Sequence, residues 1–280
     1  MKDFTGRVAV VTGAGSGMGR AFARRFAELG MSVVAADVEV GALKGTVDQL
    51  EADGHNVLGV RTDVSSEDDV QDLARQAVDA FGNVHLLCNN AGVEGYLDGA
   101  VWEATDNDWK WTVDVNFWSV VHGVRAFLPG MLAHGEEAHV VNTASMTAVT
   151  SPRNMYGITK HAVMALTEVL FHDLRAREAP VGVTALCPGI VATNLFRGSR
   201  NRPAALLNEG GSAVSEPGLE KREQMHALLS EGMSPDAVAD VLVEAVRENR
   251  LYALTDHDWD DAIDERTAHI RAGTSPDGRR

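Results

Sequence analysis

The sequence predicts an α/β protein: a doubly wound, mainly parallel sheet with helices on both faces. Three observations carry that expectation. Short apolar runs of strand length alternate with helical patterns from Arg7 to Leu186, and strands buried on both faces read as continuous apolar runs. A glycine-rich turn, Thr12-Gly13-Ala14-Gly15-Ser16-Gly17-Met18-Gly19, joins the first run to the first helical pattern. With 45% apolar residues, 23% charged residues and 27 glycines, the 280 residues suffice for a sizeable core in one globular unit.

Arg7 to Thr12 (RVAVVT) reads as a buried strand. A helix from Gly19 to Leu29 follows, with Ala23, Phe26 and Ala27 as apolar positions. Ser32 to Ala36 is the second strand, Val40 to Ala52 the second helix and Val57 to Thr62 the third strand. Ser65 to Phe81 is a helix that opens on Ser65 or Ser66 and carries acids in its first turn. His85 to Cys88 is a strand, and Asp106 to Leu132 holds one long helical pattern. Ala138 to Thr143, Met155 to Arg177 and Val181 to Leu186 read as strand, helix and strand. Parallel strands joined this way call for right-handed crossovers.

From Pro188 to Met233 the rhythm breaks. The stretch is rich in Gly, Asn, Arg and Ser, holds Pro203 and Pro217, and is too long for a plain connection. A substrate loop or lid over about 194–233 is the expectation. Pro235 to Glu248 returns to helix, Leu251 to Leu254 is a last short strand, and Asp256 to Arg271 is a terminal helix or coil. Residues 273–280 read as a flexible tail, and 1–272 as a single domain without internal repeats beyond the strand–helix alternation.

The formal net charge of -15 argues against nonspecific nucleic-acid binding. Cys88 and Cys187 each sit in an apolar run, so both are expected as reduced core residues. No cysteine or histidine spacing suggests a metal site, and the acids from Asp256 to Asp261 read as an acidic surface. No apolar stretch of about 18 residues reads as a membrane span. The opening Met1-Lys2-Asp3-Phe4 does not resemble a signal peptide, so the cytoplasm is the expected location.

The glycine turn has the strand-before, helix-after context that gives such a motif its meaning. Gly13 can make the tight turn, Gly17 can let a pyrophosphate approach the backbone, and Gly19 can let helix and strand pack closely. The helix N-terminus then receives the phosphates, with Ser16 and Met18 beside them. Asp37 ends the second strand, where a carboxylate can accept hydrogen bonds from the ribose hydroxyls and repel a 2′-phosphate. No basic residue stands beside Asp37 or inside the turn, although Arg20 follows the turn. NAD is therefore the expected cofactor. Asp63-Val64 after the third strand can meet the adenine, and Asn89-Asn90-Ala91-Gly92 after the fourth belongs at the same crevice. The alternative reading of Asp63 is a helix-start cap.

Tyr156 and Lys160 lie four apart on a helix and so share a face. A phenol with pKa about 10 is a poor base at neutral pH, and a neighbouring ammonium lowers that value. Tyr156 can then take a proton from an alcohol during hydride transfer, or donate it in reverse. Ser145, after the fifth strand, can hydrogen-bond the reacting oxygen. Asn116 can hold a water that relays protons to Lys160.

Together TGAGSGMG, Asp63-Val64, NNAG, Asn116, Ser145, YGITK and Pro188-Gly189-Ile190-Val191-Ala192-Thr193 resemble the short-chain dehydrogenase/reductase family, over about Phe4 to Leu254. The resemblance implies a seven-stranded Rossmann sheet of order 3-2-1-4-5-6-7. It implies Tyr156 as general acid/base, Lys160 on the nicotinamide ribose, Ser145 positioning substrate and Asn116 in a proton relay. Asn90, Ile190 and Thr193 would line the nicotinamide region, with Thr193 near the carboxamide, and Ala91, Gly92, Pro188 and Gly189 would be further cofactor contacts. Homotetramers or homodimers would form through the helices holding Asn116 and Tyr156. One departure stands out: Ser145 and Tyr156 are eleven residues apart, closer than is usual in the family, so Ser145 is open to displacement and Ser151 is an alternative hydroxyl.

The expected substrate pocket comprises Glu94, Tyr96, Met146, Val191, Leu195 and Phe196, with Trp102 nearby. Its apolar character favours a hydrophobic secondary alcohol or ketone. Arg197, Arg200 and Arg202 read as solvated residues of the lid, or as a carboxylate or CoA-phosphate site. Competing readings are an NADP-dependent ketone reductase, a cofactor-retaining epimerase or dehydratase, and a non-catalytic NAD-binding protein.

Overall fold

The computed structural model describes residues 1–209 and 214–276. In chain order its elements are β1 (Val8–Thr12), α1 (Gly17–Glu28), β2 (Ser32–Asp37), α2 (Val40–Ala52), β3 (Val57–Arg61), α3 (Glu67–Phe81) and β4 (Leu86–Asn89). Then come α4 (Asp106–Val113), α5 (Ser119–Ala133), β5 (Ala138–Thr143), α6 (Met155–Ala176) and β6 (Val181–Cys187), followed by α7 (Glu216–Ser230), α8 (Pro235–Glu248), β7 (Tyr252–Leu254) and α9 (Asp260–Ala272). The strands form one seven-stranded sheet, all parallel, in the order β3-β2-β1-β4-β5-β6-β7.

The period of two along each strand builds two cores from one sequence. Ala9 and Val11 of β1 join Phe22 and Phe26 of α1 and Leu242 and Val246 of α8 on one face. Val8 and Val10 join Leu73 of α3, Phe127 of α5 and Leu170 of α6 on the other. This is the physical content of the doubly wound expectation. Between β1 and β4 the strand order reverses, and a crevice opens there beyond the strand ends.

Most boundaries fall within a residue or two of the expected ones. α1 begins at Gly17 rather than Gly19, and Ser66 rather than Ser65 caps α3, its side chain accepting from the Asp69 N–H. Three elements differ more. The pattern expected as one helix from Asp106 to Leu132 is two helices joined by a π-helical turn, Asp114–Trp118. Such a turn inserts one extra residue without breaking the helical chain, so no proline, glycine or capping residue marks it in the sequence.

The stretch expected as an irregular loop contains 3₁₀ turns at Leu195–Asn201 and Ala204–Leu206 and then the regular helix α7. The inward face of α7 is Gly218, Arg222 and Leu229. It carries too few apolar groups to register as an amphipathic stripe. The terminal segment resolves as helix α9, stopped by Gly273 at φ +63° with return bonds from Gly273 and Thr274 to the carbonyls of Ile270 and His269. The tail at 277–280 lies outside the described residues. Both cysteines are free and buried, and no helix of the described residues is long and apolar enough to cross a membrane.

Candidate active site

At the crevice, Gly17 takes φ +51°. A Cβ on Gly19 would stand 2.1 Å from the Gly13 carbonyl oxygen, so only glycine lets α1 start against the end of β1. Ser16 precedes α1 without giving it a side-chain cap. The first-turn N–H groups therefore remain available to an anion. Ser16, Gly17, Met18 and Gly19 line a cleft of about 190 Å³.

On the facing wall, one Asp37 oxygen accepts from Gly15 N–H at 2.8 Å and the other from Glu39 N–H at 2.9 Å. Each oxygen keeps a second acceptor site, which suits two ribose hydroxyls. Arg20 is turned away to the Gly15 carbonyl and the Thr46 hydroxyl. Asp63 accepts from the N–H and hydroxyl of Ser65 through one oxygen, at 3.0 and 2.6 Å, while lining the cleft with Val64. The cap of α3 is Ser66 rather than Asp63, which leaves Asp63 bracing the turn before the helix at the cleft wall. Asn90 ties β4 to β1: its amide donates to the Thr12 carbonyl and its N–H to the Thr12 hydroxyl, both at 2.9 Å. Asn90, Ala91 and Gly92 all reach the cleft. The open helix N-terminus, the glycine contacts and the Asp37 carboxylate fit a dinucleotide.

Tyr156 and Lys160 stand on the first turns of α6, which Asn154 caps by accepting the Gly157 N–H at 2.9 Å. The Lys160 ammonium donates to the Thr143 carbonyl at 2.7 Å and lies 5.4 Å from the Tyr156 ring centroid. Burial lowers its pKa to about 8. Burial also pushes the Tyr156 phenol up to about 12, against the opposing effect of its hydrogen bond with Ser145. In the chain by itself, desolvation of the phenolate is the largest effect on Tyr156.

The short Ser145–Tyr156 segment does not pull Ser145 away. A tight 3₁₀ turn, Met146–Ala148, takes up the segment, with the Thr147 N–H bonded to the Ser145 hydroxyl at 3.2 Å. Ser151 is exposed.

Asn116 lies in the π-helical turn and is fully buried. Its amide donates to the Val93 carbonyl at 2.9 Å and the Thr159 hydroxyl at 3.1 Å, and its oxygen accepts the Val93 N–H at 2.8 Å. It meets no bond to Lys160. Gly92 separates them, and a Cβ there would lie 3.4 Å from the Asn116 oxygen and 3.5 Å from Lys160 Nζ.

The remaining expected residues divide. Thr193 and Leu195 line the cleft. Pro188, Gly189 and Ile190 do not. The Gly189 N–H is taken by the Thr255 hydroxyl at 3.0 Å, and Ile190 lines a neighbouring pocket with Met233 and Trp259. Met146 and Val191 are packed into apolar clusters. Glu94 is buried against Arg222 at 3.2 Å rather than facing substrate. Tyr96 and Phe196 are half-buried outside the cleft wall. In their place Trp111 and Val115 form part of the wall. Their spacing of four, in register with the helical pattern before Asn116, was the available signal.

Arg197, Arg200 and Arg202 each hold a carboxylate, those of Glu223, Glu39 and Asp108. Arg202 is buried rather than solvated. Among the described residues no group of three or more His, Cys, Asp or Glu side chains is arranged to hold a metal ion.

Fold and site together define an oxidoreductase built on the dinucleotide-binding Rossmann fold. The family model for short chain dehydrogenases matches residues 7–204. A CLA biosynthesis dehydrogenase/reductase of Lactiplantibacillus plantarum is 32% identical over 99% of this chain and 97% of its own length. A 1-deoxy-11-beta-hydroxypentalenate dehydrogenase of Streptomyces arenae is 36% identical over 90% of this chain and 83% of its own. The crystal structure of a short-chain dehydrogenase/reductase from Burkholderia phymatum in complex with NAD superposes with TM-score 0.94 at 46% identity, covering 99% of this chain and 98% of that one. The chain belongs to the short-chain dehydrogenase/reductase family, and its cofactor is of the NAD(P) type.

Proposed function

We propose that the protein interconverts a hydrophobic secondary alcohol and its ketone by hydride transfer with NAD(H). The observation that carries this reading is that Tyr156 and Lys160 line the cleft that begins at the glycine turn, with the Lys160 ammonium 5.4 Å from the Tyr156 ring centroid and the Tyr156 hydroxyl hydrogen-bonded to Ser145 behind the cleft wall. Tyr156 exchanges the proton of the reacting oxygen, and Ser145 orients that oxygen. Lys160, anchored on Thr143, supplies positive charge beneath the phenol. Asn116 holds the loop at Val93 and the Thr159 turn, which keeps the Lys160 side of the site in place. Bound NAD⁺ supplies the hydride acceptor and a positive charge that favours the phenolate.

Asp37 supports NAD over NADP: a 2′-phosphate would face its carboxylate, and Arg20 is engaged elsewhere. The Burkholderia phymatum relative holds NAD. Trp111, Val115 and Leu195 give the cleft an apolar wall. The Streptomyces arenae relative is named as a dehydrogenase of a hydroxypentalenate, which supports an alcohol as the reacting group.

We read residues 1–272 as one domain, with 194–233 as its substrate-side lid. Exposed Trp118, Ile158 and Val169 on the outer faces of the Asn116 and Tyr156 helices suit a homotetramer or homodimer.

The test is fluorescence titration with NADH and NADPH, followed by turnover of an alcohol and ketone panel. NADH should bind the more tightly. Tyr156→Phe should keep NADH binding and lose about 10²- to 10⁴-fold in turnover. Near-full turnover in that variant would remove Tyr156 from the chemistry.

A further inference from the structure

The segment beyond Thr193 does more than border the nicotinamide end. Leu195, Gly198, Arg200, Asn201 and Pro203 line the same cleft as Asp37 and Asp63, so the segment reaches over the end where Asp37 suits the adenosine ribose. It is pinned on both rims. On the rim beyond β2, Glu39 accepts from Arg200 Nε at 3.4 Å, from a second Arg200 nitrogen, and from the Asn201 amide at 2.8 Å. On the α4 rim, Arg202 pairs with Asp108, donates to the Leu206 carbonyl at 2.7 Å and lies 5.5 Å from the Trp111 ring centroid.

The two anchors differ in exposure, and this difference decides which one opens. The Arg202 and Asp108 side chains are 2% and 4% exposed, whereas those of Arg200 and Glu39 are 42% and 31% exposed. Parting the buried pair strands two charges away from water. Parting the exposed one returns both to solvent at small cost. Burial by itself would raise the Glu39 carboxyl, but the bonds from Asn201 and Arg200 hold it below its ordinary value. The carboxylate is therefore ionised at neutral pH and the bridge persists there.

We infer that Glu39, Arg200 and Asn201 form a clasp over the adenosine half of the bound dinucleotide, hinged on Arg202–Asp108, whose opening gates entry and release of that half. The inference rests on the NAD(P)-binding reading of the cleft. Glu39 and Arg200 then act as positioning residues: they close the site around the cofactor and take no part in hydride or proton transfer.

The experiment is stopped-flow release of NADH from the full-length protein, followed by its fluorescence, for the wild type, E39K, R200E and the double variant E39K/R200E. Each single reversal should release NADH about fivefold faster, the loss expected of an exposed ion pair with a supporting hydrogen bond. The double variant should return to within about twofold of wild type, because the pair is rebuilt with its charges exchanged. ADP-ribose, which lacks the nicotinamide, should follow NADH in competition titrations, while nicotinamide mononucleotide should be unmoved. Release at the wild-type rate in both single variants, or no recovery in the double, overturns the clasp alone. A wild type that binds neither NADH nor NADPH overturns the cofactor reading and the clasp with it. Circular dichroism checks each fold, and E39Q and R200Q replace any reversal that fails to fold, with the same acceleration expected.

Discussion

Tyr156 shows how burial and hydrogen bonding compete at one oxygen. Desolvation holds the phenol protonated, at about 12, and only the Ser145 hydroxyl opposes it. The acid form therefore dominates at neutral pH, and the phenolate fraction grows as pH rises toward that value. With Tyr156 as the acid/base group, ketone reduction should hold its rate near neutrality, while alcohol oxidation should climb with pH. Initial rates in both directions between about pH 6 and 9 would check this. The Lys160 pKa of about 8 places the loss of its charge inside that window, so the oxidation profile should flatten on the alkaline side. An oxidation rate that falls from neutral pH upward would refute the assignment. The Tyr156–Lys160 pair was legible in the sequence because one helical turn brings them together. Ser145 was expected at the same reacting oxygen, but whether the eleven-residue segment displaced it was not legible, because that depends on how tightly the segment folds.

At the scale of elements, α7 is docked by charge rather than by an apolar stripe. Arg222 bonds Glu94, Asp98 and the carbonyls of Gly95 and Gly218, with both Arg222 and Glu94 buried. Burial raises the Glu94 carboxyl, with Arg222 opposing. Removing Arg222 leaves that carboxyl buried and unpaired. Arg222→Ala should therefore cost about 3–5 kcal/mol in urea or thermal unfolding. Arg222→Lys should recover little, since a single ammonium cannot replace a fork that serves several acceptors. An unfolding midpoint unchanged in Arg222→Ala would show that α7 is held by something else. Sequence periodicity missed this helix because its docking face is Gly218, Arg222 and Leu229. The same blindness applied to the π-helical turn that seats Asn116.

For the whole molecule, the sheet contains a titratable group that opposes acid. His139 in β5 is fully buried, and its Nε2 lies 2.8 Å from the Thr184 hydroxyl, which itself donates to the Arg250 carbonyl at 2.6 Å. The hydroxyl proton is thus committed, so His139 Nε2 carries the hydrogen and donates. Burial lowers the His139 pKa from 6.5 to about 3. A group whose folded pKa is depressed in this way contributes full stability above its unfolded value. That contribution is lost as pH falls from 6.5 toward about 3. His139→Gln, which keeps a donor for Thr184 and does not titrate, should lose less stability than wild type between about pH 7 and 5 in urea unfolding. Equal losses in the two proteins would rule out His139 as an acid-sensitive point of the sheet.

The alternation of strands and helices, the glycine turn with Asp37, and the Tyr156–Lys160 pair are all written locally in the chain. Each is a short-range regularity: a period of two, a period near 3.6, or a motif at a strand end. Tertiary structure alone decided which residues wall the cleft, that Trp111 and Val115 replace Glu94 and Met146 there, and which carboxylate each arginine finds. Glu39 with Arg200, Glu94 with Arg222 and Asp108 with Arg202 lie far apart in the chain. No local pattern encodes such pairs, because their energy depends on the burial and packing that the finished fold supplies.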